Sequence, residues 1–303
     1  MVDWAALQDP IDRCDETVVA LVPRGLDPEQ RFALHWAAER GPGGIGVAEE
    51  IRRDPRLARL IPRLLELDGV TAWFDTPRSR NGDGWPTALL VLAAEGLLDR
   101  GTLLGACLAA LRRGGRRGTI RGLLRLHDGL APTLGEVRSQ ERDYLALLSG
   151  TRSTVAGMAQ RQLRRLDEAD MLRAETLCEA SAAVLLRSEK TLVRIQLAWL
   201  SAAAGRDPDH AGDLMLAMAA AFGRQPADLQ ARALTLMLRH VPDLDVATRA
   251  RLAAAAGALP DELRARAVGS FGPHLARRGV TPARLRQARP APPAAAREPE
   301  PAR

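Results

Sequence analysis

At 303 residues the chain can bury a sizeable core, either as two globular domains or as one elongated array of hairpins. Aromatic residues are only 3% while hydrophobic residues reach 46%, a balance carried by alanine and leucine that builds helices and starves sheets. The net charge of +6 invites a nucleic-acid reading, but Lys190 is the only lysine, and such an excess of arginine reads as the spelling of a GC-rich genome, so raw basicity is set aside as evidence of function.

The first 67 residues read as an N-terminal helical region. Asp27, Pro28 and Gln30 form a start signal for a helix over 28 to 39: a capping aspartate, proline at the first helical position and glutamine three residues after the cap. Glycines at 41, 43, 44 and 46 break that helix, and two more are expected over 47 to 53 and 61 to 67. From 68 to 85 the periodicity fails, and Asp75, Pro77, Asn81, Gly82, Asp83 and Gly84 mark an irregular loop. Helical hairpins resume over 86 to 150, with helices expected over 86 to 97, 102 to 113, 119 to 126 and, after the turn at Pro132, 134 to 148.

From 151 to 288 the chain overlies itself. Met158, Ile195, Ala233 and Ala267 open comparable apolar stretches at separations of 37, 38 and 34, and Leu177, Leu214 and Leu252 recur between them at 37 and 38. Two interleaved helices per period are what a solenoid needs, because one hairpin cannot cover its own hydrophobic face. Leu192, Ile195 and Trp199 in one helix, and Leu214, Met218 and Phe222 in another, give each a continuous apolar face at helical spacing. Residues 289 to 303 are rich in proline and alanine and carry no face to bury, which reads as a disordered tail.

Charge is uneven along the chain: residues 1 to 110 carry 12 basic against 17 acidic side chains, leaving 31 against 20 for the remainder. The C-terminal part is therefore the basic end. Cys14, Cys107 and Cys178 are too far apart for a metal motif, and an odd count argues for reduced thiols in a cytoplasm. Asp3, Asp9 and Asp12 stand where a secretory leader would be basic and then apolar. The apolar run from Ala88 to Leu98 is interrupted by Glu95 and falls far short of a membrane span, so no membrane partner is expected.

The strings ALLVLAAEGLLDR at 88 to 100, LLGACLAALRRG at 103 to 114, LRLHDGLAPT at 124 to 133 and YLALL at 144 to 148, followed by MAQRQLRRLDEADML, resemble a family of large actinobacterial proteins of unknown function with HEAT-like repeats. The likeness covers roughly residues 15 to 275. It implies a helical scaffold, carries over no catalytic residue, and compares this chain with longer relatives that continue past the Pro-rich segment.

The sharpest polar feature is the arginine cluster Arg112, Arg113, Arg116, Arg117, Arg121 and Arg125, set among Gly114, Gly115, Gly118 and Gly122. Guanidinium groups on a helix end, a Gly-rich loop and the next helix can cradle phosphates by bidentate contacts, whereas the plainer reading is that arginine at a helix C-terminus complements the dipole. No aromatic residue interleaves the cluster, which weakens a single-strand stacking model. Gly41 to Gly46 satisfies G-x-G-x-x-G, but a dinucleotide fingerprint must follow a strand and this one follows helical sequence. His127 and Asp128 invite a metal or acid–base reading, yet His35, His210, His240 and His274 offer no partner at a ligand spacing, and Asp128 beside Gly129 is expected to end a helix.

Asp167, Glu168 and Asp170 fall in an expected turn, as solvated carboxylates. No serine or cysteine has the context of a nucleophile. Trp36 and Trp199 read as core, while Trp73 and Trp85 flank the irregular loop, either as a partner contact or as the cover of a hairpin end.

The expected fold is thus all-α, a right-handed α–α superhelix of antiparallel hairpins of the HEAT/ARM type. The expected function is a non-catalytic scaffold that binds a protein partner without a cofactor or metal. The alternative is a nucleic-acid-binding solenoid using Arg112 to Arg125 with Arg161, Arg164 and Arg165. A DNA-repair enzyme on such a repeat would need an aromatic and carboxylate constellation that is not recognisable in this sequence.

Overall fold

The computed structural model describes residues 27–40, 44, 46–67, 74 and 84–272, and every regular element among them is helical. The first helices are α1 (Pro28–Arg40), α2 (Val47–Arg53), α3 (Leu60–Leu65), α4 (Trp85–Ala94), α5 (Arg100–Arg113) and α6 (Arg117–Leu130). Then come α7 (Leu134–Ser139), α8 (Glu141–Ala146), α9 (Ser153–Glu168), α10 (Ala174–Val184) and α11 (Lys190–Arg206). The last are α12 (Ala211–Met218), α13 (Ala227–Met237), α14 (Val246–Ala255) and α15 (Asp261–Phe271). Cys14, Trp73, His274, the tail at 289 to 303 and the expected loop at 68 to 85, apart from Phe74, Gly84 and Trp85, lie outside the described residues.

Local chemistry starts the helices where the sequence places them. Asp27 accepts from the Gln30 N–H at 2.8 Å while the Gln30 side chain takes the Asp27 N–H, the reciprocal cap expected for α1. Thr133 and Glu136 form the same reciprocal cap on α7, while Asp99 and Asp245 cap α5 and α14 by accepting the Thr102 and Thr248 N–H groups. At the end of α4, Gly96 adopts φ 76° and the Leu97 N–H returns to the Leu92 carbonyl at 3.0 Å, so this helix stops at Ala94, short of residue 97. The expected helix over 134 to 148 is two, because Gln140 leaves helical geometry and its N–H is shared among carbonyls of the preceding turn.

Helices pack by alternation into two layers. On one side α1 packs on α3, α3 on α5, α5 on α8, α10 on α12 and α12 on α14; on the other α2 packs on α4, α4 on α6, α9 on α11, α11 on α13 and α13 on α15. The two remaining joints are made by polar groups. Arg142 pairs with Glu179 at 2.8 Å and Thr176 donates to Glu141 at 3.1 Å between α8 and α10, while Arg152, just before α9, and Arg165, in its last turn, donate to the Gly115 and Pro132 carbonyls flanking α6. The stack therefore begins at α1, well before residue 151, and one continuous buried cluster runs from Ala33 to Phe271. Leu177, Leu214 and Leu252 are all buried within it, as are Met158, Ala233 and Ala267.

Ile195 departs from the expected face: it is 37% exposed while Leu192 and Trp199 are buried. Gln196 takes the inward position beside it because buried polar partners wait there. Gln160 on α9 donates to the Leu192 carbonyl at 3.1 Å and to Gln196 Oε1 at 2.8 Å, Gln196 donates to Ser181 Oγ at 2.8 Å, and Ser181 donates to the Leu177 carbonyl at 2.7 Å. This chain of bonds ties α9, α10 and α11 together. Phe222 is buried as expected but lies beyond α12, on a 3₁₀ turn.

Gln196→Ala should therefore cost about 1–3 kcal/mol of unfolding free energy in a urea titration, since it removes two buried hydrogen bonds and leaves the Gln160 amide and the Ser181 hydroxyl each one partner short in the core. Ile195→Ala, on the exposed side of the same helix, should cost less than half as much; equal losses would place the two side chains wrongly.

Candidate functional site

The arginine cluster spans the end of one helix, a turn and the start of the next. Helix α5 ends in Arg112 and Arg113, Gly114 and Gly115 turn the chain with φ of 87° and 135°, and α6 opens at Arg117. These dihedrals lie where a side chain is strained, which is why glycine occupies the turn. Arg117, Arg121 and Arg125 then recur every four residues, so α6 carries them as one row. The row borders a groove of about 470 Å³ whose other lining is Arg152, Ser153 and Thr154 at the start of α9, with Ile120 and Leu124 on its floor and Asp128 at one end.

The six arginines do not act alike. Arg113 donates to the Leu65 carbonyl at the end of α3 and is a packing residue. Arg112, Arg116, Arg117 and Arg125 are exposed and carry no ion pair among the described residues, while Arg121 joins them on the α6 row. Helices α6 and α9 both begin without a side-chain cap and without an acidic residue in the first turn, so each adds positive dipole character to its own start. The bond from Arg152 to the Gly115 carbonyl, 3.3 Å long, brings those two starts together. Arg152, Ser153 and Thr154 were not singled out in the sequence; only a hydroxyl pair opening a helix one repeat beyond Arg117 hinted at them.

Two of the three other basic candidates are spent on structure. Arg164 pairs with Glu168 at 2.8 Å and Arg165 holds Pro132 and Gln162, leaving Arg161 exposed. Asp167 corrects the solvated reading: its carboxylate accepts from Trp199 Nε1 at 2.7 Å and from Arg206, anchoring α9 to α11, with only 12% of the side chain exposed. Trp85 corrects the partner-contact reading. It opens α4 with 1% exposure, edge-on to Trp36 at 6.1 Å and stacked with Phe74 at 6.5 Å, so apolar burial took it into the core.

His127 is fully buried inside α6, and Asp128 continues that helix to Leu130 where an end was expected. The ring Nε2 meets the Tyr144 hydroxyl at 2.8 Å, and Asp128 stands 3.5 Å from Nδ1, largely in solvent. Burial lowers the His127 pKa below its ordinary value, against the pull of Asp128. Cys107 is buried with its thiol directed at the Leu123 carbonyl, and burial pushes it up to about 12; the half-buried Cys178 is pushed up to about 11. Gly44 and Gly46 follow α1, a helix, where a dinucleotide fingerprint would follow a strand. Among the described residues no group of three or more His, Cys, Asp or Glu is placed to hold a metal, and no helix is long and apolar enough to cross a membrane.

A His127 that resists protonation in the fold but accepts a proton near pH 6.5 when unfolded makes the unfolded state the better base. Its contribution is whole above pH 6.5 and is lost as pH falls below that value. Urea titrations at pH 7.5 and 5.5 should thus show the wild type losing more stability than His127→Gln over this interval; equal losses would mean that the ring titrates alike in both states.

No family model, curated protein or solved structure matches the chain.

Proposed function

We propose that this chain is a non-catalytic helical-repeat scaffold, a HEAT-like right-handed α–α solenoid that holds a protein partner on the surface of its stacked hairpins in the cytoplasm. The observation that supports this reading is that polar contacts between helices reach one repeat length along the chain. Arg152 donates to residue 115, Arg187 to residues 148 and 151, and Gln225 to residues 185 and 187, each side chain in a linker satisfying the carbonyls of the linker before it. A stack joined only to its neighbours is quasi-one-dimensional, and its two layers expose long ridged surfaces of the kind helical-repeat proteins use for partners. The groups with chemical potential have structural duties: His127 is held by Tyr144, Asp167 by Trp199, and the Cys107 thiol is buried.

Affinity capture of the tagged full chain from its native host, with and without nuclease and read by mass spectrometry, tests the reading. A discrete protein recovered in fixed proportion after nuclease treatment, and cross-linked to exposed positions of the stack, is the expected result. Recovery of no protein in fixed proportion, or loss of every partner with nuclease, would overturn it.

A further inference from the structure

The stack has two edges, because its helices alternate between layers and every turn from the first layer to the second lies on one side while every turn back lies on the other. Arg152, Arg187 and Gln225 bind the turns of the first edge to one another, and Ala258 continues that edge by lying against Gly223. Helix α15 begins there and runs away from it. It therefore ends at Phe271 on the second edge, which carries the turns at 169–173, 207–210 and 238–245.

On that second edge the turns after α9 and α11 enclose a groove of about 620 Å³. Its floor is apolar, made by Leu172, Leu177, Ala203 and Leu214, and its rim sets five carboxylates against one guanidinium, Arg206. Arg206 pairs with Asp167, Arg164 reaches Glu168 from outside the lining, and His210 pairs with Asp207 at 2.7 Å. Asp170 and Asp209 are exposed and carry no ion pair among the described residues. Arg173 and Arg239, exposed in the turns of the same edge, do not line the groove. With every pair counted as neutral, the rim keeps the negative charge of Asp170 and Asp209.

We propose that this acidic groove is the docking site of the chain's own segment 273–289, which lies outside the described residues. That segment carries Arg277, Arg278, Arg284, Arg286 and Arg289, no carboxylate, and the apolar residues Leu275, Val280 and Leu285. It leaves the described stack at Gly272, on the edge that holds the groove. The groove lies between two and three helices away along the second layer, about 25 Å at 8–10 Å per packed pair, and about eight extended residues cover that distance. Arg284, Arg286 and Arg289 stand 12, 14 and 17 residues beyond Gly272, so all three can reach the rim. Their guanidinium groups pair with Asp170 and Asp209 while Leu285 lies on the apolar floor. Exposed ion pairs are individually weak, but a tethered segment acts at an effective concentration in the millimolar range, which contacts of this strength can use and a free peptide cannot.

Tryptic cleavage of the full chain after Arg284, Arg286 and Arg289, followed by mass spectrometry, reads the docking directly. Asp170→Asn combined with Asp209→Asn should be cut about fivefold faster than the wild type, the worth of two exposed ion pairs. Its melting temperature should not change, since both side chains are exposed and asparagine accepts the φ of 58° at position 170. Glu262→Gln, at the start of α15 on the opposite edge, should be cut as the wild type is. A labelled peptide of residues 273–289 gives the second measurement, by fluorescence anisotropy. The full-length variant Arg284→Gln, Arg286→Gln and Arg289→Gln, whose own segment no longer competes, should bind the peptide at least about fivefold more tightly than the wild type, and adding Asp170→Asn and Asp209→Asn should remove that gain.

Equal cleavage of the wild type and the asparagine variant, or equal peptide affinity of the wild type and the glutamine variant, would overturn the proposal. Protection that rises with protein concentration, together with a dimer in sedimentation, would also overturn it by assigning the segment to the groove of a second copy. The docking requires only the stack, so it and the scaffold reading fail separately.

Discussion

The interaction that recurs through the stack is the satisfaction of a linker's carbonyl groups by a side chain one repeat further on. A helix leaves its last carbonyls without intrahelical partners, and a donor from a neighbouring hairpin can take them. Arg152, Arg187 and Gln225 each stand just before a helix and donate back to the linker one repeat earlier. Arg113 does the same for the end of α3. An apolar interface alone allows neighbouring hairpins to slide; a directional bond from one fixed side chain to one fixed carbonyl sets their register.

Where the joint is deeper, the bonds form a closed set. Gln160, Gln196 and Ser181 are linked in series between three helices, with the Leu192 and Leu177 carbonyls at the two ends, so that removing Gln196 takes one buried bond from each of the other two. At the more exposed joint between α5 and α7, Arg100 grips both oxygens of Glu136 and the Leu130 carbonyl, while Thr133 donates to the same carboxylate. The Arg100 guanidinium, and then the Thr133 donors, hold the Glu136 carboxyl down at about 2. That carboxylate serves the cap of α7 and the junction with α5 at once, so local helix initiation and tertiary register are the same event at this corner.

The candidate groove follows from the same rule by exception. At two joints of the stack charged side chains are matched, Lys190 and Arg194 by Asp228, and Arg142 by Glu179. Between α6 and α9 the equivalent place holds Thr154, and Arg117 and Arg125 keep their full charge toward solvent. A repeat architecture makes such a departure visible, because each joint is measured against its neighbours. Trp85, by contrast, has been drawn wholly into the core against Trp36 and Phe74.

What the sequence determined by itself was helicity and period. Alanine and leucine in abundance, caps such as Asp27 and the recurrence of Leu177, Leu214 and Leu252 are local or nearest-repeat signals, and the structure carries all of them. The arginine cluster was equally legible as a list. Only the tertiary structure decided that Arg113 is a packing residue, that Asp167 is an anchor for Trp199, that Gln196 points inward in place of Ile195, and that Arg152 and Thr154 share a groove with Arg117. Each of those outcomes turns on a partner about one repeat or more distant in the chain. Spacing along a helix says which residues share a face; it does not say which polar group waits opposite, and in a stack of hairpins that opposite group settles whether a charge is used for structure or left for a ligand.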